Sequence, residues 1–138
     1  MLFRSLDDAL YFPGDKSHLK VVEGEVSAGQ TDTLHLQVNA GTPLRAVLVW
    51  TDPPGNVSTG TTANLVNDLD LRIGALPSKA DHINNVEVIN IASPASGTIA
   101  IDVTATRLGF GTKQSYALVV TGDVSDAATP RLRAVRSR

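Results

Sequence analysis

Apolar residues recur at every second position in one segment of this chain after another, with turn residues between the segments. A strand turns successive side chains to opposite faces, so this spacing predicts half-buried strands rather than helices. Between Leu65 and Ile73, one face carries Leu65, Asn67, Leu69, Leu71 and Ile73, and the other carries Val66, Asp68, Asp70 and Arg72. Thr33 to Val38 alternates in the same way, with Leu34, Leu36 and Val38 inward and Thr33, His35 and Gln37 outward.

Further strands are predicted over Leu19 to Val26, Leu44 to Trp50, Val86 to Ile91, Thr98 to Ala105 and Ser115 to Thr121. Turns such as Ser27-Ala28-Gly29-Gln30 and Asn39-Ala40-Gly41-Thr42-Pro43 separate them, at the spacing of a sandwich or barrel. Leu44 to Trp50 is apolar on both faces, which predicts a central strand covered on both sides. Helical period appears only near the N-terminus, where Ser5 or Asp7 could cap a short turn through Leu10 before Phe12-Pro13-Gly14-Asp15 stops it.

With 138 residues, 42% of them hydrophobic, the chain closes one core without staples. It has no cysteine, which excludes a disulfide framework and thiolate metal sites. No apolar run reaches the length of a membrane span, and the N-terminus lacks the order of a signal peptide. Residues 1–122 carry eight Lys/Arg and twelve Asp/Glu, whereas residues 123–138 carry four Arg and two Asp. An acidic body argues against nucleic acid, whose affinity rests on many basic phosphate contacts. Arg131, Arg133, Arg136 and Arg138 read as a flexible basic tail or linker, with an interaction tail as the alternative.

Nucleophilic hydrolysis needs Ser or Cys beside an oriented base. His18, His35 and His82 have no such company in the sequence and read as surface histidines. Gly60-Thr61-Thr62-Ala63 has Thr where a protease nucleophile needs Ser, and zinc spacing such as His-Glu-x-x-His is absent. Oxygen ligands are more plentiful: Asp52, Asp68, Asp70, Asp81, Asn84, Asn85 and Glu87. Asp68 and Asp70 share a strand face and repel each other unless a cation sits beside them. Arg72 could serve, and so could calcium; an ordinary solvated strand face is the third reading. Asn67 faces the apolar side and must be hydrogen-bonded there. Trp50 reads as core, ended by Pro53-Pro54-Gly55, with a sugar-stacking platform as the alternative.

Leu48-Val49-Trp50-Thr51-Asp52-Pro53-Pro54, Leu65-Val66-Asn67-Asp68-Leu69-Asp70-Leu71, Asn84-Asn85-Val86-Glu87, Pro94-x-x-Gly97-Thr98 and Tyr116-Ala117-Leu118-Val119-Val120 follow in that order. In this the sequence resembles the C-terminal β-domain of bacterial subtilisin-like serine proteases, the subtilase family, over roughly residues 19 to 122.

The resemblance implies an all-β, antiparallel jelly-roll β-sandwich of about seven or eight strands. Residues 1–18 would be a remnant of a preceding protease domain and linker, 19–122 the sandwich, and 123–138 the tail. It implies a secreted, non-catalytic accessory domain that stabilises or docks on the protease's catalytic domain, as a monomer. A binding module for carbohydrate, cell surface or substrate protein is the alternative. It also implies calcium at Asp68, Asp70, Asn84, Asn85 and Glu87. The stretch between Ile73 and Ile83 is shorter than the loop that often lies there in the family.

Overall fold

The computed structural model describes residues 18–55, 65–76 and 81–127. These form eight strands: β1 (His18–Ser27), β2 (Thr31–Val38), β3 (Leu44–Trp50), β4 (Asn67–Ile73), β5 (Val86–Ile91), β6 (Gly97–Leu108), β7 (Lys113–Gly122) and β8 (Val124–Asp126). The predicted N-terminal helical turn and Gly60 to Ala63 lie outside the described residues. Seven of these strands fall within three residues of the spans read from the sequence at either end, β4 starting two residues later than its alternation, at Asn67, whereas β8 lies in residues read as part of the tail.

The strands make two antiparallel four-stranded sheets, in the orders β1-β7-β3-β5 and β4-β6-β2-β8. Odd strands lie in the first sheet and even strands in the second, so every connection crosses from one sheet to the other. This is the jelly-roll sandwich expected from the sequence.

The inward faces are those the alternation dictates. Leu36, Leu48, Leu69, Leu71, Ile101 and Leu118 are completely buried between the sheets, each worth about 1.5–3 kcal/mol of transfer free energy. Polar side chains tie the sheets together across this core. Trp50 Nε1 of β3 donates to the Asn67 carbonyl of β4 (2.9 Å), and the Tyr116 hydroxyl of β7 donates to Asp32 of β2 (3.0 Å).

The two outer faces differ. The second sheet shows water a polar face that includes Thr33, which donates to Asp102 (2.8 Å), and Arg72, which donates to the same carboxylate (2.7 Å). The first sheet instead carries an unbroken apolar row, Val21–Val119–Val47–Val88, in register across all four strands. The expectation that β3 is covered on both sides is therefore corrected: Val49, Val86 and Val88 are exposed, because among the described residues no third layer packs on this sheet.

Candidate metal centre

β4 and β5 are edge strands of opposite sheets, and the chain between them crosses the flank of the sandwich. The site forms where that crossing folds back over β4. At the start of β4, the Asp52 carboxylate accepts the N–H groups of Val66 (2.8 Å) and Asn67 (2.7 Å), which fixes the entry of the strand. The register then shifts between Asp68 and Leu69, which pair with Arg107 and Ala105, so Thr106 is the extra residue of a β-bulge. The displaced Thr106 hydroxyl donates to Asp70 Oδ2 (2.5 Å).

Asp81 shapes the return toward β5. Its Oδ1 accepts the Ile83 N–H (2.9 Å), and its Oδ2 accepts the Asn84 side-chain amide (2.6 Å). These bonds, Asn84's first, hold the Asp81 carboxyl below the usual carboxylate range. The turn lays His82 against the outer face of β4, where Nδ1 lies 2.7 Å from Asp68 Oδ2 and 3.9 Å from Asp70 Oδ1. The bond to Asp68, and next its negative charge, raise the imidazole's pKa above the ordinary histidine value.

Each of the residues read from the sequence as a ligand has a definite place. Asp68 and Asp70 do come together. Asn84 is occupied with Asp81, and the Asn85 amide donates to the Trp50 carbonyl (2.7 Å). Glu87 accepts the Leu71 N–H of β4 (2.5 Å) and the Asp81 N–H (2.8 Å), fastening the first sheet to the edge of the second. Burial pushes the Glu87 carboxyl up, against the pull of its two backbone donors. Arg72 pairs with Asp102 and not with the two aspartates.

The residue that sequence reasoning passed over is His82. Its side chain is 58% exposed, as a surface histidine should be, yet the nitrogen that matters faces inward. No local pattern marks it, because its neighbours follow from the strand order, which puts β4 and β5 at the edges of opposite sheets.

Two carboxylate oxygens in the site, Asp68 Oδ1 and Asp70 Oδ1, are buried with no hydrogen-bond partner among the described residues. Asp68, Asp70 and His82 each offer a ligand atom within 4.8 Å of the others, inside the roughly 3–5 Å expected between donors sharing one ion. For calcium, which takes about 6–8 oxygens, this set is short. An imidazole nitrogen beside two carboxylates suits zinc, a borderline ion, or manganese, which takes carboxylates readily, better.

A scan against protein-family models finds no match, and none is found among the curated proteins. Among solved structures the chain is similar to PliG of Aeromonas hydrophila, described as a periplasmic lysozyme inhibitor of g-type lysozyme. The identity is 20% over 84% of this chain and 92% of that one, with a TM-score of 0.47.

These findings correct the subtilase resemblance, since the solved structure returned belongs to a different kind of protein. The accessory role in a secreted serine protease, the docking partner in a parent catalytic domain and the associated proteolytic setting are set aside with it. The sugar-stacking alternative goes too, because Trp50 is 3% exposed and its ring cannot form a platform. At this similarity the neighbour carries no argument about activity. No helix among the described residues is long and apolar enough to cross a membrane.

Proposed function

We propose that this chain is a non-catalytic β-sandwich module that holds a divalent cation at Asp68, Asp70 and His82, the ion pinning the β4–β5 crossing to the sheet. Its proposed setting is outside the cytoplasm. The observation that carries the reading is the pair of buried oxygens, Asp68 Oδ1 and Asp70 Oδ1, that have no hydrogen-bond partner among the described residues. A buried polar atom left without a hydrogen bond is costly, and a cation here would satisfy both oxygens at once. Glu87 adds a third carboxylate nearby, whose own ionisation Asp68 and Asp70 oppose.

Titration calorimetry on metal-stripped chain with zinc, manganese and calcium tests this. One equivalent of zinc or manganese is expected to bind, Asp68→Asn with Asp70→Asn is expected to abolish it, and His82→Ala to weaken zinc more than calcium. Heats no larger than dilution for all three ions would end the proposal. Calcium binding indifferent to His82→Ala would return the site to an all-oxygen calcium centre.

A further inference from the structure

The outer face of the first sheet carries its valine row, Val21–Val119–Val47–Val88, between two opposite charges. One row along the strands to one side lies Arg45 of β3, in register with Thr121 of β7. One row to the other side lies Glu23 of β1, in register with Ala117 of β7, which is followed by Val49 of β3 and Val86 of β5. Arg45 and Glu23 are both exposed, and neither has an ion-pair partner among the described residues. Glu25, further along β1, is already held by Lys113 (2.7 Å). Val21, Val49, Val86 and Val88 are exposed as well, and a contiguous apolar patch rimmed by polar groups is the usual mark of an interaction surface.

The face also has relief. Ser115 and Ala117 leave β7 low between β1 and β3, and a groove of about 610 Å³ lies over them, with Glu23 and Glu25 on its β1 side and Val49 on its β3 side.

Charge and relief are self-complementary. Neighbouring strands lie about 4.8 Å apart, and residues two apart along a strand about 6.8 Å. Arg45 is one strand and one row from Val119 in one direction, and Glu23 is one strand and one row from it in the other, so Val119 lies midway between them. Two copies can face each other about a two-fold axis that passes over Val119 at right angles to the line joining Arg45 and Glu23. Arg45 of each copy then lies on Glu23 of the other, as an isologous interface requires. On the same strand lattice the axis also runs over Val86, which meets its own counterpart, while Val49 lies against Val88 of the other copy and Val47 sits over the low Ala117.

We propose that the outer face of the first sheet is the interface of a two-fold dimer of this chain, with reciprocal Arg45–Glu23 pairs flanking a valine seam. From the strand spacings such a face covers roughly 400–600 Å² per copy. That is below the ~800 Å² per partner of a standard interface, so a weak dimer is expected, with a dissociation constant of roughly 10–100 µM.

Sedimentation equilibrium of the full chain from about 1 to 500 µM tests this by mass action, in excess chelator so that no ion bridges copies. Glu23→Arg alone, and Arg45→Glu alone, are each expected to weaken the dimer at least about tenfold, because each sets like charges face to face twice per dimer. Glu23→Arg with Arg45→Glu is expected to restore the dissociation constant to within about threefold of the native value, since paired sites couple. Both side chains are exposed and unpaired among the described residues, so thermal unfolding at about 1 µM, where the chain is monomeric by mass action, is expected to be the same for all four chains. A chain that stays monomeric throughout the concentration range would overturn the proposal. So would a dimer that either single reversal leaves unchanged, or one that the double reversal fails to restore.

Discussion

Asn67 sits on the apolar face of β4, is 1% exposed, and has every polar atom of its side chain engaged. Its amide donates to Gln114 Oε1 (2.7 Å) and to the Phe110 carbonyl (3.0 Å), and its Oδ1 accepts the Phe110 N–H (3.0 Å). Asn67→Ala would strand those partners in the core, so a loss of about 2–3 kcal/mol is expected in urea unfolding. Asp102 makes a pH prediction. Arg72's hydrogen bond, and after it Thr33's, hold the carboxyl below the ordinary value of 3.8 despite partial burial. A depressed carboxylate contributes stability that is present above its unfolded pKa and lost as pH falls through the lower folded one. The melting midpoint should therefore drop below pH 3.8 more steeply in the native chain than in Asp102→Asn. Arg72 itself is 57% exposed, so Arg72→Ala should cost no more than about 1 kcal/mol.

At the scale of elements, side chains bridge the two sheets at both flanks of the sandwich. On one flank Glu87 of β5 accepts an N–H of β4, so Glu87→Ala should cost about 2–3 kcal/mol by leaving the Leu71 and Asp81 donors unmet, read from denaturant midpoints. On the other, Gly24 lets the Tyr116 ring pass beneath β1: a Cβ there would come within 2.4 Å of the ring and its hydroxyl. Gly24→Ala should displace the ring from Asp32 and cost about 1–3 kcal/mol. The strands themselves were legible in the sequence because period-two burial is local, and β3 and β5 run over the very residues the alternation marked. The site was legible only in part. Asp68 and Asp70 share a strand face by spacing alone, but the bulge at Thr106, the cross-sheet reach of Glu87 and the inward turn of His82 depend on which strands become neighbours. That is a matter of topology, to which alternation is blind.

For the molecule as a whole, odd and even strands segregate into separate sheets, so every pairing joins segments distant in sequence. Chains of that kind fold in roughly milliseconds to seconds. The apolar row across the first sheet stabilises little by its side chains, since Val21 is 54% exposed and Val88 37%; Val21→Lys with Val88→Lys should shift stability by no more than about 0.5 kcal/mol per site. The candidate metal centre is different, because an ion there would bind only the folded chain, where Asp81 to Asn85 meet β4. Thermal unfolding of the whole chain with zinc or manganese at about 100 times the dissociation constant, against excess chelator, measures this directly. About 2.7 kcal/mol of added stability is expected, a rise in midpoint of roughly 8–14 °C for a domain of this size, abolished by Asp68→Asn with Asp70→Asn. Superimposable curves with ion and with chelator would contradict this and leave His82 as the counter-charge of the two aspartates among the described residues.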